Sequence, residues 1–167
     1  MKTLYKSIVI IAWSIMLAAF GTIQYSHAAV TLEKEPFGTT PDGTEVMKYT
    51  LSNDYGVEIA ITNYEGIVLS AMVPDQEGNK VDVVLGYDTL DEYIARSPYF
   101  GGIQERHNHQ LNGVVWETEE FRSENDAGLI LSTEVNGEED LRLVVTVTYT
   151  LNVKNDFKIE YAATTNV

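Results

Sequence analysis

From Leu141 to Leu151 the chain alternates: Leu141, Leu143, Val145, Val147, Tyr149 and Leu151 fall on one side, and Arg142, Thr146, Thr148 and Thr150 on the other. A repeat of two belongs to an extended strand, so this run predicts a strand with one apolar and one polar face. Asn152 to Asp156 then supplies turn residues, and Phe157, Ile159, Tyr161 and Ala163 resume the alternation. The pair reads as an antiparallel hairpin.

The same period runs through most of the chain after Val30. Val57, Ile59 and Ile61 are expected on one face of a strand, and Ile67, Leu69, Ala71 and Val73 on one face of the next. Asn53 to Gly56, Pro74 to Gly78 and Asn136-Gly137 carry the residues that tolerate turn backbone angles. Thr89-Leu-Asp-Glu92 has the spacing of a capping box and opens a helical turn through Ile94. No other segment sustains a helical period, and there is no internal repeat, low-complexity tract or dividing linker. Many short strands with frequent turns predict an all-β fold, an antiparallel β-sandwich.

The first 28 residues read as a signal peptide. Lys2 and Lys6 precede the apolar run Ser7 to Gly21, and Ser26-His27-Ala28 offers small residues for cleavage. The run is short of the roughly 20 residues a spanning helix needs, which leaves a retained anchor as the alternative. Export to a periplasm or the cell exterior follows, with residues 29–167 as one domain. About 139 residues are enough for a domain with its own core.

The formal charge is −14, and cleavage removes Lys2 and Lys6 but no acid. Such a surface repels nucleic acid and anionic membrane, so neither is an expected partner. The chain has no cysteine. Disulfide staples and thiol chemistry are therefore excluded, and stability must come from apolar burial.

Two histidines remain after residue 28, His107 and His109, both in Gln104-Glu-Arg-His-Asn-His-Gln-Leu-Asn-Gly113. Three readings of this segment stay open. It is a polar surface loop; or a sugar site in which Arg106, Asn108 and His109 donate hydrogen bonds to hydroxyls; or a metal site using His107 and His109, which lacks an evident third ligand. Glu117, Glu119 and Glu120 read as a solvated face around Trp116, and Glu138-Glu139-Asp140 as an exposed turn flank. Trp116 and Tyr99 are able to stack on a pyranose, but sandwich aromatics are more often core.

Several ordered landmarks resemble the aldose 1-epimerase (galactose mutarotase) family. They are Phe37-Gly-Thr-Thr-Pro-Asp-Gly, Thr62-Asn-Tyr-Glu-Gly, Val73-Pro-Asp, Asp82-Val-Val-Leu-Gly-Tyr-Asp, Pro98-Tyr-Phe-Gly-Gly, Val115-Trp-Glu-Thr-Glu-Glu-Phe, Val145-Thr-Val-Thr-Tyr-Thr-Leu and Tyr161-Ala-Ala-Thr-Thr. The resemblance implies a mutarotase-like sandwich and an isomerase family that interconverts the α and β anomers of aldohexoses such as galactose or glucose, without metal or organic cofactor. It matches the family's N-terminal half, with an internal deletion between Gly102 and Val114. There Arg106, Asn108 and His109 stand nearest to a Gly-Arg-x-x-Asn-Arg motif, while Asn108 to Gly113 alternatively aligns with a later Asn-x-Leu-His-Gly-Gly motif. The family's histidine acid and glutamate base fall beyond Val167. The resemblance thus implies an incomplete sandwich with no catalytic residue in this chain. A non-catalytic carbohydrate-binding sandwich and a gene fragment without independent function are the alternatives. An exposed edge strand and apolar face are also expected, and with them self-association.

Overall fold

Four of the hairpins are closed by one recurring device. A computed structural model describes residues 29–96, 100–103, 111–136 and 142–165. It contains β1 (Val30–Thr39), β2 (Glu45–Asn53), β3 (Glu58–Thr62), β4 (Val68–Pro74), β5 (Lys80–Asp82), α1 (Leu90–Arg96), β6 (Glu117–Arg122), β7 (Asp126–Asn136), β8 (Arg142–Asn152) and β9 (Phe157–Thr165). The turns β1–β2, β2–β3, β4–β5 and β8–β9 open at Thr40, Asn53, Asp75 and Asn152. Each opening residue donates its N–H to the carbonyl four residues on, at 2.8–3.1 Å, and accepts the N–H three residues on. The residue three on has positive φ in every case: Gly43, Gly56, Gly78 and Asn155. This is the three-residue hairpin loop with a left-handed last residue. The opening side chain secures it, as when Asn152 Oδ1 accepts the N–H groups of Lys154 (2.8 Å) and Asp156 (2.9 Å).

The strands form two antiparallel meanders, β1-β2-β3-β4-β5 and β6-β7-β8-β9. The predicted hairpin is β8–β9, with Leu151 opposite Phe157 and Val147 opposite Tyr161. Between the sheets lie Tyr49, Leu51, Ile59, Ile61 and Val68 from one side and Trp116, Leu129, Leu131, Val147, Tyr149 and Leu151 from the other, all buried. Val57, Ile59 and Ile61 share this face as expected. Trp116 is core.

One face assignment is corrected. Ile67, Leu69, Ala71 and Val73 do not share a side, because β4 bulges: Val68 opposes Ile61 and Ser70 opposes Ala60, leaving Leu69 as the extra residue. A bulge advances the side-chain alternation by one. Val68 and Ala71 therefore enter the inter-sheet core. Ile67 and Leu69 join Val46, Ala60, Tyr64, Leu90 and Tyr93 in a second cluster on the opposite face of the first sheet. That cluster includes α1, which the capping box starts as predicted: Thr89 Oγ1 accepts the Glu92 N–H at 3.4 Å and donates to Glu92 Oε2 at 3.2 Å.

Glu117, Glu119 and Glu120 are exposed on β6, as a solvated face requires. Residues 1–28, which the sequence reads as a signal peptide, together with Tyr99, Gly137, the run Glu138 to Asp140 and Leu141, lie outside the described residues.

Candidate functional site

The turn between β3 and β4 concentrates the chain's buried polarity. Among the described residues the buried polar side chains are Thr40, Thr62, Asn63 and Glu65, and three of these belong to this turn. Ile67 N–H donates to the Tyr64 carbonyl at 3.3 Å, with Glu65 (φ 54°) and Gly66 (φ 61°) both left-handed between them. Two consecutive positive φ values define a type I′ turn, where the first position favours asparagine, aspartate or glycine. A glutamate here carries about 1 kcal/mol of backbone strain.

Hydrogen bonds hold it in place. Asn63 Oδ1 accepts the Met47 N–H at 2.8 Å, and Thr62 Oγ1 donates to the Met47 carbonyl at 2.9 Å. The Trp116 N–H donates to the Asn63 carbonyl at 2.8 Å, and Tyr64 bridges to Val115. Glu65 makes three further contacts. Its N–H donates to the Val114 carbonyl (2.8 Å), its carbonyl accepts the Ile103 N–H (3.0 Å), and its Oε1 accepts the Gly113 N–H (2.5 Å). Glu65 is 6% exposed. Burial, and after it the neighbouring Glu65 charge, push the Tyr64 phenol above its ordinary range.

Ile103 and Gly113 flank the segment 104–110. Arg106, Asn108 and His109, with His107, lie in that segment and outside the described residues; the structure fixes where its two stems stand and what grips them. A Cβ on Gly66 would come within 2.5 Å of Ile103 Cδ1, and one on Gly101 within 2.7 Å of the Val68 carbonyl oxygen. The first stem thus lies directly against the turn. Sequence reasoning missed Glu65 as the tie between the stems. The available signal was an acidic residue before glycine in a two-residue turn, at a position that strains it.

Two other concavities border the sandwich. A cleft of about 310 Å³ on the first sheet includes Phe37, Lys48, Asp82, Tyr87 and Asp88. Two of its polar groups already serve the fold: Lys48 pairs with Glu35 at 2.6 Å, and Asp82 Oδ1 accepts the N–H groups of Ala71 and Val84 at 3.0 Å. An apolar groove of about 460 Å³ runs between Ile103, Leu111, Val135, Val145 and Tyr161. Among the described residues no group of three or more His, Cys, Asp or Glu side chains is placed to hold a metal ion.

Comparison with known proteins extends this picture. Galactose 1-epimerase from Lactobacillus acidophilus NCFM superposes with a TM-score of 0.66 at 15% identity, covering 82% of this chain and 49% of that one. The GalM/aldose epimerase homologue from C. elegans gives 0.54 at 21% identity, covering 68% and 44%. The fold is therefore an all-β sandwich of the galactose epimerase type. In sequence, residues 47–107 match the aldose 1-epimerase family model. Galactose mutarotase of Bos taurus is 33% identical over 75 residues, 44% of this chain and 22% of that protein. A probable aldose 1-epimerase of Arthroderma benhamiae is 28% identical over 123 residues, 60% of this chain and 28% of that protein. The family-model match, the mutarotase relatives and the structural neighbours together support membership of the aldose 1-epimerase family. The chain spans between a fifth and a third of the length of these two curated relatives.

Proposed function

We propose that this chain is an exported sugar-binding member of its family, taking an aldohexose such as galactose or glucose through Arg106, Asn108 and His109. The observation that carries the reading is the grip of one turn on both stems of the segment 104–110. A segment held at both ends has less conformational freedom to lose on binding a ligand. Arginine and histidine offer N–H donors, and asparagine offers donor and acceptor together, which suits ring hydroxyls.

Interconverting anomers requires a base at the anomeric hydroxyl and an acid at the ring oxygen. Among the described residues the one buried carboxylate, Glu65, is committed to the Gly113 amide. Recognition without turnover is accordingly the role we assign to this chain by itself, with no metal or organic cofactor.

Titration calorimetry with galactose and glucose tests recognition, and polarimetry of a freshly dissolved α-anomer tests turnover. Saturable heat together with a rotation rate equal to buffer is expected. No heat at millimolar sugar removes the binding role; a rate above buffer returns catalysis to this chain. Export is tested by the N-terminus of the protein recovered outside the cytoplasm, expected at Ala29.

A further inference from the structure

Among the described strands, three of the four sheet edges are guarded against pairing with another chain. On β1 stand Glu33, Lys34, Glu35 and Pro36, followed by a register shift between Pro36 and Gly38. β5 is three residues long. β6 carries Glu117, Glu119 and Glu120, which repel a second copy of themselves. Charge, proline, bulges and short strands are the usual means of keeping an edge closed.

β9 differs. Among the described residues it forms the far edge of the second sheet, nine residues long, and its charges are Lys158 and Glu160, which cancel. On its core-facing side Ile159 and Tyr161 are 37% and 66% exposed, although their ladder partners Tyr149 and Val147 are fully buried. The edge is therefore long, neutral and apolar on one face.

The hydrogen-bond pattern shows which groups it offers. The Asn152 N–H donates to the Asp156 carbonyl at 3.1 Å, so these two form a bonded pair. Bonded and non-bonded pairs alternate along an antiparallel ladder, and the β8–β9 register runs without a shift. The N–H and C=O of Lys158, Glu160 and Ala162 thus point to β8. Those of Phe157, Ile159, Tyr161 and Ala163 point away from it.

We propose that the occupant of this edge is β9 of a second copy, antiparallel and centred on Ile159. That register sets Ile159 against Ile159, Phe157 against Tyr161, and Lys158 against Glu160 on both sides of a two-fold axis. The outward N–H and C=O groups of Phe157, Ile159 and Tyr161 then face those of the second copy, and every charge on the strand meets its opposite. Moving the centre to Glu160 opposes two glutamates, and moving it to Lys158 opposes two lysines. Centring on Tyr161 leaves both charges facing uncharged residues. Lys158 and Glu160 already lie side by side at 2.8 Å within one chain, and pairing adds two such pairs between the copies. The two four-stranded sheets become one, and Phe157 and Tyr161 of the two copies cover each other, an isologous contact.

Sedimentation equilibrium of the purified chain tests this. A monomer–dimer equilibrium is expected for the natural chain. Lys158→Glu alone and Glu160→Lys alone each weaken the dimer about tenfold, since two like-charge pairs replace two opposite ones. An equimolar mixture of the two variants regains the dimer, because each then faces its complement. A natural chain that stays monomeric up to about 100 µM, or single variants that dimerise as the natural chain does, overturns the proposal. The register has its own test. With no native cysteine present, Ile159→Cys is expected to form a disulfide-linked dimer under mild oxidation, since a bonded cross-strand pair has a Cα separation near 5.5 Å. Ala163→Cys, opposite Asn155 of the second copy, is not; cross-linking of Ala163→Cys as fast as Ile159→Cys overturns the Ile159-centred register. Both positions are exposed, and unchanged far-ultraviolet circular dichroism shows that each variant retains the fold.

Discussion

The side-chain amide of Asn53 donates to the backbone carbonyl of Asn152 at 3.1 Å, joining the β2–β3 turn of one sheet to the β8–β9 turn of the other. The same amide reaches Asn155 Oδ1 at 2.8 Å. Both asparagines open turns of the same design, and each Oδ1 accepts two amides of its own loop. A local capping device thereby also registers one sheet on the other.

Removing that device from the second turn has a definite cost. Asn152→Ala leaves the N–H groups of Lys154 and Asp156 without their acceptor, and two such bonds contribute about 1–2 kcal/mol. A lower urea midpoint at unchanged slope is expected. Asn155→Gly trades its contact with Asn53 for relief at φ 69°, and its net effect is within about 0.5 kcal/mol. A large loss there would show that the inter-sheet contact outweighs the backbone relief.

At position 65 strain and hydrogen bonding can be separated. Glu65→Ala keeps a β-carbon at φ 54° and removes the acceptor of the Gly113 N–H, so a loss of about 2–3 kcal/mol is expected. Glu65→Gly also removes that acceptor but relieves the backbone, and is expected about 1 kcal/mol more stable than Glu65→Ala. Equal thermal midpoints for the two variants would show that the turn holds no strain.

Gly128 lies in β7 where a Cβ would come within 2.1 Å of the Tyr149 carbonyl oxygen and 2.4 Å of the Phe121 ring. A ring can turn aside, but a backbone oxygen in a central ladder cannot. Gly128→Ala is expected to lose about 1–3 kcal/mol in chemical denaturation, and Phe121→Ala in the same chain should recover only the ring's share.

Alkaline pH should unfold the protein through its tyrosines. Burial pushes the phenols of Tyr64, Tyr93 and Tyr149 upward, Tyr149 most of all. An acid whose folded pKa is raised stabilises fully below its unfolded pKa, and that contribution is lost as pH climbs beyond it. Stability is therefore expected to fall from about pH 10 upward, where the unfolded phenols ionise first. Tyr149→Phe loses the bond from its hydroxyl to the Gly66 carbonyl, about 1 kcal/mol at pH 8. The variant should decline less steeply above pH 10; parallel pH profiles would show that Tyr149 is not the responsible group. Asp75 has the opposite sign. Hydrogen bonds from Asn79 hold its carboxyl below 3.8, so its contribution is present above that pH and lost below it.

What the residue pattern reveals depends on how local the cause is. The β8–β9 hairpin, the Thr89 cap and the burial of Trp116 follow from alternation, spacing and size within a few residues, and each is found in the structure. The faces of Ile67 and Leu69 were misread because a bulge is set by the partner strand, and because α1 buries the side that alternation alone treats as solvent. Glu65 escaped notice since its partners Ile103, Gly113 and Val114 are distant in sequence. For Arg106, Asn108 and His109, chemistry and family resemblance supply the assignment, and the described structure supplies only the two stems.

Both sheets are meanders in which every strand pairs with its neighbour in sequence, and this has a consequence for the order of assembly. Hairpins closed by three-residue loops involve little loop-closure entropy, so each sheet is able to gather from local contacts. Three of the bonds that join the sheets, Asn53 to Asn152, Arg122 to the Leu32 carbonyl and Tyr149 to the Gly66 carbonyl, span 99, 90 and 83 residues. Docking of two largely preformed sheets is then the late, slow event of refolding, and variants at those three contacts should alter its rate more than variants within any turn.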